Sequence, residues 1–194
     1  MSERERMDVV PECYVDTNIV STLLDYKRVN HQKGCGRVRQ KIEGLKNSFA
    51  VGIVDNDKHE IYKENYNEIA HSDSLTLLKD EGMPHYLILI GKKREAAEDF
   101  LLSCAQEKGI DIKDFGLPGD LKGLKVETKK KDASKDPRIT RLVKCLMHGT
   151  EMERLRQVIE YLVAETYNAD KQTLTGLLTS DKAENMDKTI GEHR

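Results

Sequence analysis

Phe49-Ala-Val-Gly-Ile-Val-Asp-Asn-Asp57 is an apolar run that stops at two acids one residue apart. A continuous apolar stretch of strand length, with no polar alternation, predicts a strand buried on both faces, as in a parallel sheet. A second stretch has the same shape: Glu12-Cys-Tyr-Val-Asp16 is apolar and also ends in an acid. Val9 to Val15 reads as a first strand, interrupted early by Pro11. Between the two lie a helical pattern (Ile19, Val20, Leu23, Leu24), a polar glycine-bearing loop at 30–36, and a second helical face (Val38, Ile42, Leu45). A right-handed crossover of this kind makes the two strands parallel and brings their C-terminal ends to one edge of the sheet. Open α/β sheets bind ligands at that edge.

Three acids meeting at one edge suit a hard divalent cation. Mg²⁺ takes oxygen ligands and keeps several waters, so two or three carboxylates suffice. The expected metal ligands and catalytic residues are therefore Asp16, Asp55 and Asp57, with Mg²⁺ or Mn²⁺ as cofactor. Each acid also has a purely structural reading. Asp16 suits a helix N-cap, and Asp55-Asn56-Asp57 suits a turn in which Asp and Asn bond their own backbone.

The arrangement resembles the Toprim domain of topoisomerases, primases and OLD-type nucleases. In that family one strand ends in Glu, usually followed by Gly, and a later strand ends in Asp-x-Asp. Ile53-Val54-Asp55-Asn56-Asp57 matches the second motif, and Val15-Asp16-Thr17-Asn18 stands in place of the first, with Asp for Glu and Thr for Gly. His85-Tyr-Leu-Ile-Leu-Ile90, followed by a helix carrying Glu95 and Glu98, resembles the third strand and helix of small stand-alone members. The resemblance implies an Mg²⁺-dependent phosphodiester enzyme, a nuclease of nucleic-acid metabolism or phage defence, with DNA or RNA as partner. A non-catalytic Toprim-like binding module is the alternative. Val15-Asp16-Thr17-Asn18-Ile19 also resembles the opening motif of PIN-domain ribonucleases, with Leu178-Thr179-Ser180-Asp181 as the later Thr-x-Asp. The PIN reading leaves Asp55 and Asp57 without a role.

The rest of the chain sets the frame. The 194 residues suit one α/β domain with a real core. Charged residues make up 34% of the chain, aromatics 5%, and the net charge is −2, so any nucleic-acid contact must come from local basic patches. Lys33 and Arg37 follow the first βα unit, and Lys129, Lys130 and Lys131 form a run; these five are the expected nucleic-acid contacts. Four cysteines without a Cys-x-x-Cys pair argue against zinc and for a reducing compartment. No apolar run is long enough to span a membrane, and no signal-peptide core follows the charged N-terminus, so a cytoplasmic location is expected. The histidines show no ligand spacing, although His59 lies close to Asp57. There is no P-loop and no dinucleotide fingerprint.

The expected architecture is a mostly parallel sheet flanked by helices, Toprim-like or Rossmann-like in layout, followed by a C-terminal helical hairpin. Residues 1–110 form the core, 111–137 an irregular basic connection broken by Gly116, Pro118, Gly119 and Gly123, and 138–194 the hairpin and a polar tail packed on the same domain. The hairpin stripes are Ile139, Leu142, Val143, Leu146 and Met147, then Met152, Leu155, Ile159, Leu162 and Val163.

Overall fold

The computed structural model describes residues 8–25, 29–58 and 65–179. The chain is α/β. Its sheet has five strands: β1 (Asp8–Pro11), β2 (Ala50–Asp55), β3 (Tyr66–His71), β4 (Leu75–Asp80) and β5 (His85–Ile90), in the order β1-β2-β5-β4-β3. β1, β2 and β5 run parallel, whereas β4 and β3 are antiparallel to their neighbours. The sheet is therefore mixed rather than mostly parallel. The reason lies in the connections: the turns between β3 and β4 and between β4 and β5 are too short for a crossover, so those strands must pair as hairpins.

Seven α-helices are present among the described residues: α1 (Tyr14–Leu23), α2 (Cys35–Gly44), α3 (Ala97–Glu107), α4 (Leu121–Thr128), α5 (Pro137–Leu146), α6 (Glu151–Glu165) and α7 (Lys171–Thr179). Val51, Ile53, Ile88 and Ile90 share one large core with Ile19 of α1, Phe100 of α3, Leu142 of α5 and Leu155 of α6. The hairpin thus packs on the same domain as the sheet. α2 covers the opposite face, where Val38 and Ile42 meet Val54, Leu87 and Leu89. Gly52 lets α2 approach, because a Cβ there would stand 2.5 Å from Leu87 Cδ2 and 2.6 Å from Ile42 Cδ1. None of the described helices is long and apolar enough to cross a membrane.

The segment 111–137 is ordered. It holds a 3-10 turn at Ile112–Phe115, α4, and a second 3-10 turn at Lys131–Lys135. Its breakers are caps: Gly116 takes the left-handed conformation (φ 77°) after the first turn, and Asp120 caps α4 by accepting from the Gly123 amide. The second turn is fastened to α1 by buried Asn18. Its Nδ2 donates to the carbonyls of Ala133 (2.9 Å) and Asp136 (3.1 Å), and its Oδ1 accepts from the Thr140 hydroxyl (3.0 Å).

Candidate functional site

β1 stops at Pro11, and the first acid after it is Glu12, not Asp16. Asp16 lies in the first turn of α1. Cys13 is the N-cap, and the two residues form a reciprocal box: the Cys13 amide donates to Asp16 Oδ2 (3.1 Å) and the Asp16 amide to Cys13 Sγ (3.4 Å). The helix therefore begins before Val15 can extend the strand. Glu12 continues the parallel pairing instead. Its amide donates to the Ile53 carbonyl (2.9 Å), and its Oε2 accepts from the Asp55 amide (3.2 Å).

Asp55 ends β2 and serves α3. The N-cap of α3 is Ala96, which has no polar side chain, and Asp55 Oδ1 accepts from the Ala97 amide (2.9 Å) in its place. A carboxylate there also meets the positive end of the helix dipole. The next residue of α3, Glu98, is buried and accepts from the Thr128 hydroxyl at the end of α4. The elements thus bring Glu12, Asp16, Asp55 and Glu98 into one acidic group at the C-terminal edge of the parallel strands.

Like charges and burial work against ionisation in this group. Burial, then repulsion by Glu12, outweighs the Cys13 bonds and raises the Asp16 carboxyl from 3.8 to about 7. Burial followed by Asp16 and Glu12 raises Asp55 from 3.8 to about 9, against the Ala97 amide. Burial and the same two aspartates push the Cys13 thiol well above its ordinary range, so it is not a thiolate nucleophile. Asp16 Oδ1 is buried and has no hydrogen-bond partner.

Asp57 does not join the group. The chain turns into a 3-10 helix at Asn56–Lys58, where buried Asn56 donates to the Gly91 carbonyl (2.9 Å) and Asp57 is exposed. Of the basic residues, Lys33 and Arg37 are exposed; Lys33 precedes Gly34, whose amide reaches the Glu12 carbonyl (3.2 Å). Lys129 caps the end of α4, and Lys130 is paired with Glu127 at 2.6 Å. Lys131 lines a separate cleft beside α1. Asp181 and His59 lie outside the described residues. Sequence reasoning missed Glu12, for which Pro11 was the available signal, since proline tends to close a strand. It placed Glu98 on the right helix without assigning it to the site.

The donor chemistry of the group is all oxygen and suits a hard cation, and the orphaned Asp16 oxygen is an unused acceptor. Among the described residues, no group of three or more Asp, Glu, His or Cys side chains is placed to hold a metal ion. Mg²⁺ does not require one, because it commonly binds one or two carboxylates and completes its shell with water and substrate phosphate. Asp55 is the only member of the four that is partly exposed. No protein-family profile, curated protein or solved structure matches the chain.

Proposed function

We propose that this protein is an Mg²⁺- or Mn²⁺-dependent phosphodiester enzyme of Toprim-like, Rossmann-like layout, a nuclease acting on DNA or RNA in nucleic-acid metabolism or phage defence. Its acidic centre is Glu12, Asp16, Asp55 and Glu98. The observation that carries the reading is the mutually strained Asp16–Asp55 pair at the carboxyl edge of the parallel strands, with one Asp16 oxygen unsatisfied. Glu12 adds to it. A Glu directly after the first strand is what the Toprim resemblance expects, although Cys13 stands where that family has Gly.

A divalent cation bound there would neutralise the acids and stabilise charge on the reacting phosphate. Asp55 would hold it, fixed in orientation by the Ala97 amide, while Glu12 ties the Asp55 backbone in place. Asp16, with its carboxyl near 7, can hold or release a proton close to neutral pH and so buffer the centre. The four cysteines are free thiols, which supports a cytoplasmic setting.

A binding module without catalysis is the second reading, and one observation favours it. Glu12, Asp16 and Glu98 are all less than 9% exposed, and each acid already bonds to a backbone amide or a hydroxyl. Incubating labelled single- and double-stranded DNA and RNA with Mg²⁺ or Mn²⁺ separates the two. The enzyme reading expects cleavage that EDTA stops, that Asp55→Asn lowers by roughly 100-fold or more, and that Asp57→Ala largely spares. Absence of cleavage with every substrate and metal would leave the binding module.

A further inference from the structure

An open cleft of about 590 Å³ lies between α1 and the Lys131–Lys135 turn. Tyr14, Thr17 and His31 form one part of its lining, and Lys131, Ser134 and Lys135 another. Tyr14 and His31 are stacked, with ring centroids 4.6 Å apart and planes inclined by 18°. The Thr17 hydroxyl donates to the Cys13 carbonyl at 2.7 Å. A hydroxyl has a single proton, so the 2.9 Å contact between Thr17 Oγ1 and His31 Nδ1 is the ring N–H donating. That fixes the His31 tautomer and leaves Nε2 as an acceptor. Burial lowers the His31 pKa and favours the neutral ring. The stacked pair is thus a flat surface that carries His31 Nε2 and the Tyr14 hydroxyl as its polar groups.

The charge comes from the other side. Lys131 and Lys135 are exposed, and neither forms an ion pair among the described residues, unlike Lys130 with Glu127 and Lys125 with Asp99. Asn18 holds their turn against α1, so the backbone that carries the lysines is fixed before any ligand arrives. Asp132, also in the lining, offers a further acceptor.

We propose that this cleft holds one nucleotide of a single strand, its base on the Tyr14–His31 surface and its phosphate between Lys131 and Lys135. A free phosphate makes no use of an aromatic pair, and an apolar ligand makes no use of two unpaired ammonium groups. A nucleotide uses both. His31 Nε2 and Asp132 can accept from exocyclic amines, and stacking accepts any base because every base has a π-face. A duplex keeps its base faces covered by their neighbours, so the partner is an unpaired strand. Tyr14 and Thr17 belong to α1, the helix that also carries the buried Asp16. The inference builds on the phosphodiester reading and names the strand state of its substrate.

The test is fluorescence anisotropy of a labelled single strand of about a dozen nucleotides, with the full chain in EDTA so that no cleavage occurs. The single strand should bind, and a duplex of the same sequence roughly tenfold more weakly. In the Lys131→Gln/Lys135→Gln double variant the log–log salt slope should fall by about 0.7, for the one phosphate the two lysines share. Tyr14→Leu should weaken binding roughly tenfold, and Tyr14→Phe should retain it. Wild-type affinity and salt slope in the double lysine variant would overturn the proposal. So would a nucleoside monophosphate competing as tightly as the strand, which would assign the cleft to free nucleotides. Strand binding without cleavage under Mg²⁺ would uphold the cleft and overturn the nuclease reading. Cleavage indifferent to the cleft variants would do the reverse.

Discussion

Asp16 has a fully buried carboxyl, one oxygen bonded to the Cys13 amide and the other to nothing. Its cost depends on pH. In the unfolded chain it titrates near 3.8, and in the native state it is raised to about 7, with Asp55 raised to about 9. Between these limits the native state binds more protons than the unfolded one, so stability falls as pH rises. Below about pH 4 both states are protonated and the penalty is absent; above about pH 9 it is complete. Urea unfolding in EDTA should therefore give a lower free energy at pH 9 than at pH 5. Asp16→Asn should flatten that slope; a wild-type profile that is flat or rises across the window would contradict it. The role of Asp16 was half legible. A helix-starting acid was one reading of Asp16-Thr17-Asn18, but the N-cap is Cys13, a thiol in a place usually held by a hydroxyl or amide. Asp57 was misplaced because Asp-x-Asp says nothing about where the backbone turns after the first acid.

Elements legible in the sequence are those whose burial leaves a local pattern: a stripe where packing is one-sided, a continuous run where both faces are covered. α5 and α6 carry clean apolar stripes, and β5, buried along its whole length, is a continuous apolar run. β3 was hidden because an edge strand puts polar residues such as Asn67 and Glu68 into solvent. α4 was hidden by its brevity and by Gly123 within it. Besides apolar packing, α1 is held against the turn before α5 by one buried amide, Asn18, whose bonds to Ala133, Asp136 and Thr140 span more than a hundred residues of chain and leave no local pattern. Asn18→Ala removes one donor from the Ala133 and Asp136 carbonyls and one acceptor from the Thr140 hydroxyl, each of which keeps another partner, and should cost about 1 kcal/mol in chemical denaturation. It should also loosen the Lys131–Lys135 turn. A change within a few tenths of a kcal/mol would show that this amide does not hold the two elements together.

At the scale of the molecule, the sheet divides into a parallel half, β1-β2-β5, and a hairpin half, β5-β4-β3. The Asp-Glu-Gly-Met-Pro turn at 80–84 already implied the second half, since a parallel neighbour needs a long connection. The parallel half gathers the acids, as strand ends at one edge should. Of the acids the sequence singles out, Asp16 and Asp55 interact with Glu12 and Glu98, while Asp57 is exposed after the chain turns. The central claim is that this group takes up a divalent cation, and the most direct measurement is the melting temperature at pH 8 with and without millimolar Mg²⁺. A hundredfold excess over Kd stabilises by about 2.7 kcal/mol, roughly 5–10 °C for a chain of this size. Such a rise is expected in the wild type and in Asp57→Ala, and is lost in Asp55→Asn; a melting temperature unmoved by Mg²⁺, or moved equally in Asp55→Asn, means that the acidic group binds no cation.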